Sequence, residues 1–178
     1  MIRRWTCAWA LTTICSAAAC GCGSGSAQAP VGWSSDDPDP SGVDVALRAS
    51  DGTAFAISQL RGRPVLLFLF ATFDGVSQAS LRPLSRFARH NSNVHVVGIA
   101  VQPDARVLLG LWVSALTPPF TVGYEQEETI AQGTSELGAI EAVPTFLLLD
   151  GAGRIRARHV GYATDQKLER MLDETGLR

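Results

Sequence analysis

Beyond Gly23 this chain has no cysteine; its four, Cys7, Cys15, Cys20 and Cys22, all lie in the first 22 residues. The long remainder to Arg178 therefore lacks a thiol nucleophile, a dithiol pair and a thiolate metal ligand. Lysine is nearly missing as well, with Lys167 the only one, and 15 basic residues stand against 17 acidic ones. No basic stripe remains to follow a phosphate backbone, so nucleic acid is not an expected partner. Histidine is limited to His90, His95 and His159. None has acid or cysteine neighbours at ligand spacing, so neither a metal nor another cofactor is expected. The apolar run from Trp5 to Ala19 is shorter than the roughly 20 residues that cross a bilayer as a helix.

What that run does resemble is a secretory leader. Met1-Ile2-Arg3-Arg4 gives a basic start, an apolar stretch follows, and small residues precede a candidate cut. Ser16-Ala17-Ala18-Ala19-Cys20-Gly21 is similar to a bacterial lipobox, with Ala17 where leucine is favoured. The expected organisation is a lipoprotein-type signal over 1–19, lipidation of Cys20, a tether over 20–42 and a folded domain over 43–178. Ordinary secretion, lipidation of Cys22 and a Cys20–Cys22 disulfide are the alternatives. Cleavage before Cys20 removes Arg3 and Arg4 and no acid, leaving 13 basic against 17 acidic residues, a net charge of −4. The tether is rich in Gly, Ser, Asp and Pro, and Ser34 to Pro40 carries too little apolar surface to repay ordering. Trp33 is its one aromatic residue. The expected location is the bacterial cell envelope, lipid-anchored and facing the periplasm or the exterior.

In the domain, Asp51-Gly52 between two short apolar segments predicts a β-hairpin. Val65 to Phe70 is a continuous apolar run, as in a strand buried on both faces. A helix over roughly 76–90 follows, kinked by Pro83. Val94 to Val101 reads as a second buried strand. Asp104 is placed to cap a helix ending near Ala115. Phe120 to Val122 is a short strand, and Glu127 to Leu137 has weak helical character. Thr145 to Leu149 is a third buried strand. Residues 154–160, with Arg154, Arg156 and Arg158 alternating with Ile155, Ala157 and His159, read as a half-exposed edge. Thr164 to Thr175 closes the chain as an amphipathic helix, and Trp112 is core packing. This order predicts an α/β domain: a central mixed β-sheet flanked by helices on both faces, with an N-terminal hairpin.

The stretch Leu60 to Phe73 resembles the entry segment of the extracytoplasmic thioredoxin-like reductases, the TlpA/ResA-like branch related to redoxins and peroxiredoxins. Ala142-Val143-Pro144-Thr145-Phe146, the Asp150-to-Ile155 turn and His159-Val160-Gly161 resemble later segments of the same family. The resemblance implies a thioredoxin-like fold and a cis proline at Pro144 facing an active turn. It also implies Trp-Cys-x-x-Cys where this chain has Phe73-Asp74-Gly75-Val76-Ser77. Asp74 takes the first cysteine's place and Ser77 the second's; a one-residue shift puts Gln78 there instead. Either way no thiol is present.

Families of this kind place cysteine at a helix start because free N–H groups and the helix dipole favour a thiolate. Asp74 serves that field as an N-cap carboxylate. Ser77 has no evident general base and reads as a capping or solvated hydroxyl. The expected function is non-catalytic binding of a protein or peptide in a groove formed by Phe73 to Val76 and by Val143, Pro144 and Thr145. Pro144 is equally readable as fold maintenance. The alternatives are a reductase or peroxidase of the parent family with a divergent site, and an accessory protein that binds through the edge strand near Arg154 to Arg158.

Overall fold

The computed structural model describes residues 42–178. The leader, Cys20, the tether before Gly42 and Trp33 lie outside the described residues.

Seven strands form one mixed sheet. They are β1 (Ala46–Ala49), β2 (Ala54–Ala56), β3 (Val65–Phe70), β4 (His95–Ala100), β5 (Thr121–Tyr124), β6 (Thr145–Leu149) and β7 (Ile155–Val160). Their spatial order is β2-β1-β5-β4-β3-β6-β7. The three central strands run parallel, β3 beside β4 and β4 beside β5. β6 and β7 add antiparallel on one side, and the β1–β2 hairpin on the other. The hairpin turns at Asp51-Gly52 as expected, with Gly52 at φ 89°. The Asp51 carboxylate accepts from the Thr53 N–H at 2.9 Å. β1 meets β5 closely at Gly123, where a Cβ would lie 2.9 Å from the Arg48 carbonyl oxygen.

Alternation along β3 sorts its buried side chains between two apolar layers. Leu66, Phe68 and Phe70 join α1 (Gly75–His90), α2 (Ala105–Leu116) and α3 (Asp165–Glu174) through Leu84, Phe87, Leu109, Trp112, Leu168 and Leu172. The ring of Trp112 lies 4.6 Å from that of Phe70, so this tryptophan is core. Val65, Leu67 and Leu69 face the other way, onto Val45, Ile57, Ile130 and Leu137. The sheet is thus covered on both sides, but unequally. Among the described residues all three α-helices feed one layer, while the other has a single 3-10 turn, Ile57–Leu60, and irregular chain.

Three expectations are corrected. Residues 127–137 form turns, not a helix. The Glu125 carboxylate takes the Ile130 N–H at 2.8 Å and also accepts from the Thr129 hydroxyl, and Gly133 sits at φ 71°. These local bonds satisfy the backbone in a competing way. Asp104 stands at the N-cap of α2 but makes no capping bond, because its backbone is left-handed at φ 61°. The arginine alternation of β7 does mark an edge strand, but Ile155 is exposed instead of turned in. Arg154 and Arg156 reach Asp150 at 3.1 and 3.5 Å, and Arg158 donates to the carbonyls of Leu137 and Ala139. The strand's cations therefore tie down neighbouring turns. No helix among the described residues is long and apolar enough to cross a membrane.

Candidate functional site

The C-terminal end of β3 delivers the chain to the start of α1 through Ala71-Thr72-Phe73-Asp74. The pairing of Leu69 with Thr145 sets the residues after β3 beside those before β6. The Gly161 N–H donates to the Pro144 carbonyl at 2.8 Å, which brings the end of β7 to the same rim. Both expected stretches, 73–77 and 143–145, therefore meet at one end of the sheet. The Val143–Pro144 peptide is cis.

Asp74 is the N-cap of α1, and its Oδ2 accepts the Ser77 N–H at 2.7 Å. Its carboxyl is held below the usual carboxylate range by Ser77. The Ser77 hydroxyl nearby favours the ionised form, although it lacks hydrogen-bond geometry; the bond actually formed comes from the backbone N–H. Ser77 itself is fully buried and its Oγ has no partner. Gln78, the shifted candidate, is exposed and bonds the Thr72 carbonyl at 2.9 Å. The helix runs on through Pro83, its residues Leu84 and Phe87 filling the core.

Around this start the surface is apolar. Phe73 exposes 74 % of its surface, Val76 45 % and Tyr162 50 %. Gly75 is open, Val143 half-buried, and Pro144 and Thr145 buried. The Thr145 hydroxyl donates to the Ala142 carbonyl at 2.6 Å, fixing the turn that holds the cis bond. Among the described residues, no hydrogen bond engages the N–H or the carbonyl of Val143.

One residue of the site is missing from the sequence reading. Gln102, just past β4, is buried. Its Oε1 accepts the Thr72 N–H at 2.5 Å and its Nε2 donates to the Thr72 hydroxyl at 2.6 Å. This amide clamps the strand-to-helix turn from the side opposite Pro144. An isolated glutamine after a strand carries no motif; only the parallel register of β3 and β4 brings it to Thr72.

The histidines do not converge. His90 ends α1 in solvent. His159 lies tilted beside Phe146, with ring centroids 6.2 Å apart. His95 meets the Arg63 guanidinium, whose Nη2 lies 2.7 Å from its Nε2. Burial first, and Arg63 second, push the His95 pKa down. Among the described residues there is no group of three metal-ligating side chains. Among the described residues the Ser77 hydroxyl has no hydrogen-bond partner, and the Asp74 carboxylate beside it is engaged by the Ser77 N–H instead. The chemistry this arrangement supports is apolar contact and main-chain hydrogen bonding.

Comparison with known proteins fits the geometry. A thiol:disulfide interchange protein, DsbE of Yersinia pestis, is 32 % identical over 117 residues, 65 % of this chain and 58 % of that protein. The chain thus matches less than two thirds of that relative's length. The MTB protein DsbF, solved in mixed oxidised and reduced forms, superposes with a TM-score of 0.64 at 19 % identity, over 76 % of this chain and 98 % of that one. The exposed lipoprotein thioredoxin Etrx1 of Streptococcus pneumoniae gives 0.59 at 19 % identity, over 74 % and 98 %. The family model Redoxin matches residues 35–172. With its seven-stranded mixed sheet and cis proline, the chain belongs to the redoxin family, thioredoxin-fold proteins related to the thiol-disulfide oxidoreductases.

Proposed function

We propose that this protein is a redox-silent member of its family that binds an extended segment of a protein or peptide at the rim formed by 73–76 and 143–145. One observation carries the reading: the docking elements persist where the reactive ones do not. Val143 keeps a free N–H and a free carbonyl beside a cis proline, as strand addition requires. Phe73 and Val76 offer apolar contact next to them. At the two positions that would carry sulfur stand an acid bonded to its own helix and a buried hydroxyl. The leader-like N-terminus and Cys20 support a place in the bacterial envelope, held there by lipid on Cys20. The likeness to an exposed lipoprotein thioredoxin agrees with that location.

The test is binding of a permanently unfolded, cysteine-free polypeptide, read by fluorescence anisotropy on the intact protein. Saturable binding that weakens about tenfold or more in Phe73→Ser and in Val76→Ser supports the groove, an apolar anchor being worth about 1–2 kcal/mol. Saturable binding indifferent to both changes places the binding face elsewhere. Absence of saturable binding ends the proposal.

A further inference from the structure

The helix α2 differs from the other two. α1 packs on α3, whereas α2 packs chiefly on β5. Its inner face buries Ala105, Leu109 and Trp112. Its outer face is apolar too: Val107 is 65 % exposed, Leu108 40 % and Leu111 74 %. A helix that is apolar all round belongs between two layers, not at the surface of one. Between Val107 and Ala115 no charged side chain interrupts it.

We infer that this face is a self-association surface, on which the α2 helices of two copies of the chain pack antiparallel about a two-fold axis at Leu111. The sequence of the helix is complementary to itself in that arrangement. A dyad at Leu111 sets Val107 of one copy against Ala115 of the other, and Leu108 against Ser114. Each large side chain meets a small one, and Leu111 meets its twin on the axis. A parallel pairing would instead set large against large and small against small. Isologous interfaces need this kind of self-matching patch, and alternation of large and small residues is what lets two layers interdigitate. Gly110 supports the reading. A Cβ there would meet nothing within 4 Å in its own chain, so nothing inside the molecule requires glycine. Glycine nevertheless weakens a helix interior, and beside the axis it permits close approach of a second helix. A bilayer is the less suited occupant. Helices that lie on membranes carry a rim of basic residues, and Arg106 is the only cation on α2.

One such helix face buries on the order of 500 Å² per copy, or about 1,000 Å² in all, the low end for a specific interface. Association is therefore weak, in the range of about 1–100 μM.

Sedimentation velocity of the intact chain across that range tests it. The expected result is a concentration-dependent shift from monomer to dimer. Leu111→Glu and Leu111→Arg each place like charges on the axis and abolish the shift. An equimolar mixture of the two restores it, because Glu now faces Arg. Leu111 is exposed, so thermal midpoints of both variants stay near that of the parent chain. A parent chain that stays monomeric throughout overturns the inference, as does one that binds anionic vesicles through Leu111 without dimerising. Dimerisation that survives either variant, or a mixture that fails to associate, overturns the dyad.

Discussion

Replacing Asp74 by alanine removes the one side chain that satisfies the first turn of α1. The Asp74 Oδ2 accepts the Ser77 N–H at 2.7 Å, and Ser77 is fully buried beneath it. Loss of an N-cap costs about 0.5–2 kcal/mol, and loss of the anion from the helix start adds about 0.3–1 kcal/mol. A total of about 1.5 kcal/mol lowers the thermal midpoint by roughly 4–8 °C in a domain of this size. Asparagine caps nearly as well as aspartate, so Asp74→Asn keeps most of the bond and loses only the charge. The pH dependence follows from the direction of the carboxyl's shift. Its folded pKa lies below the unfolded value of 3.8, so its contribution is complete above that pH and fades as pH falls through the folded pKa. Thermal melts of the parent, Asp74→Ala and Asp74→Asn from pH 7 down to about pH 2 check this. The parent and the alanine variant differ most at pH 7, and the gap narrows in acid as protonation removes the charge-dependent part of the cap. Equal midpoints at neutral pH, or a gap that does not narrow at all toward acid, refute the assignment of Asp74 as a structural cap.

The clamp at Thr72 has a comparable consequence: Gln102→Leu strands the buried Thr72 N–H and hydroxyl and costs roughly 2–4 kcal/mol in urea unfolding. An unchanged midpoint would remove Gln102 from the site's support. His95 predicts a different pH profile. Its pKa is lowered by burial and by Arg63, so the unfolded chain takes up the proton first as pH falls below 6.5. The parent loses stability progressively from about that pH downward, and His95→Gln, which can still accept from Arg63, does not. Superimposable profiles for the two proteins would show that this pair does not couple to folding. On the stretch 127–137, Gly133 stands at φ 71°, so Gly133→Ala destabilises by about 1 kcal/mol or more and adds no helical circular dichroism. A gain in helicity would show that the glycine alone had held the segment out of a helix.

Much of this architecture is legible in the chain itself. Asp51-Gly52 announces the hairpin because few other pairs enter its turn, and the six apolar residues of β3 allow no exposed face. The edge position of β7 shows in its alternating arginines. The cis bond at Pro144 was legible only through resemblance, since nothing local to Val143-Pro144 demands it. The failures share one cause, which is that backbone geometry decides what a side chain can reach. Asp104 has the composition of a cap, but with its backbone at φ 61° its side chain makes no capping bond. Glu127 to Leu137 has weak helical character, and the Glu125 side chain and two left-handed glycines, Gly133 and Gly138, draw it into turns. Gln102 was silent because its role depends on a register set 30 residues away, at Thr72.

The most direct measurement is disulfide reduction of insulin by the intact chain, beside an Asp74→Cys/Ser77→Cys variant of it. The account predicts no turnover above background for the parent and measurable turnover for the dithiol variant, because α1 still presents the helix start that favours a thiolate. Turnover by the parent chain would contradict it.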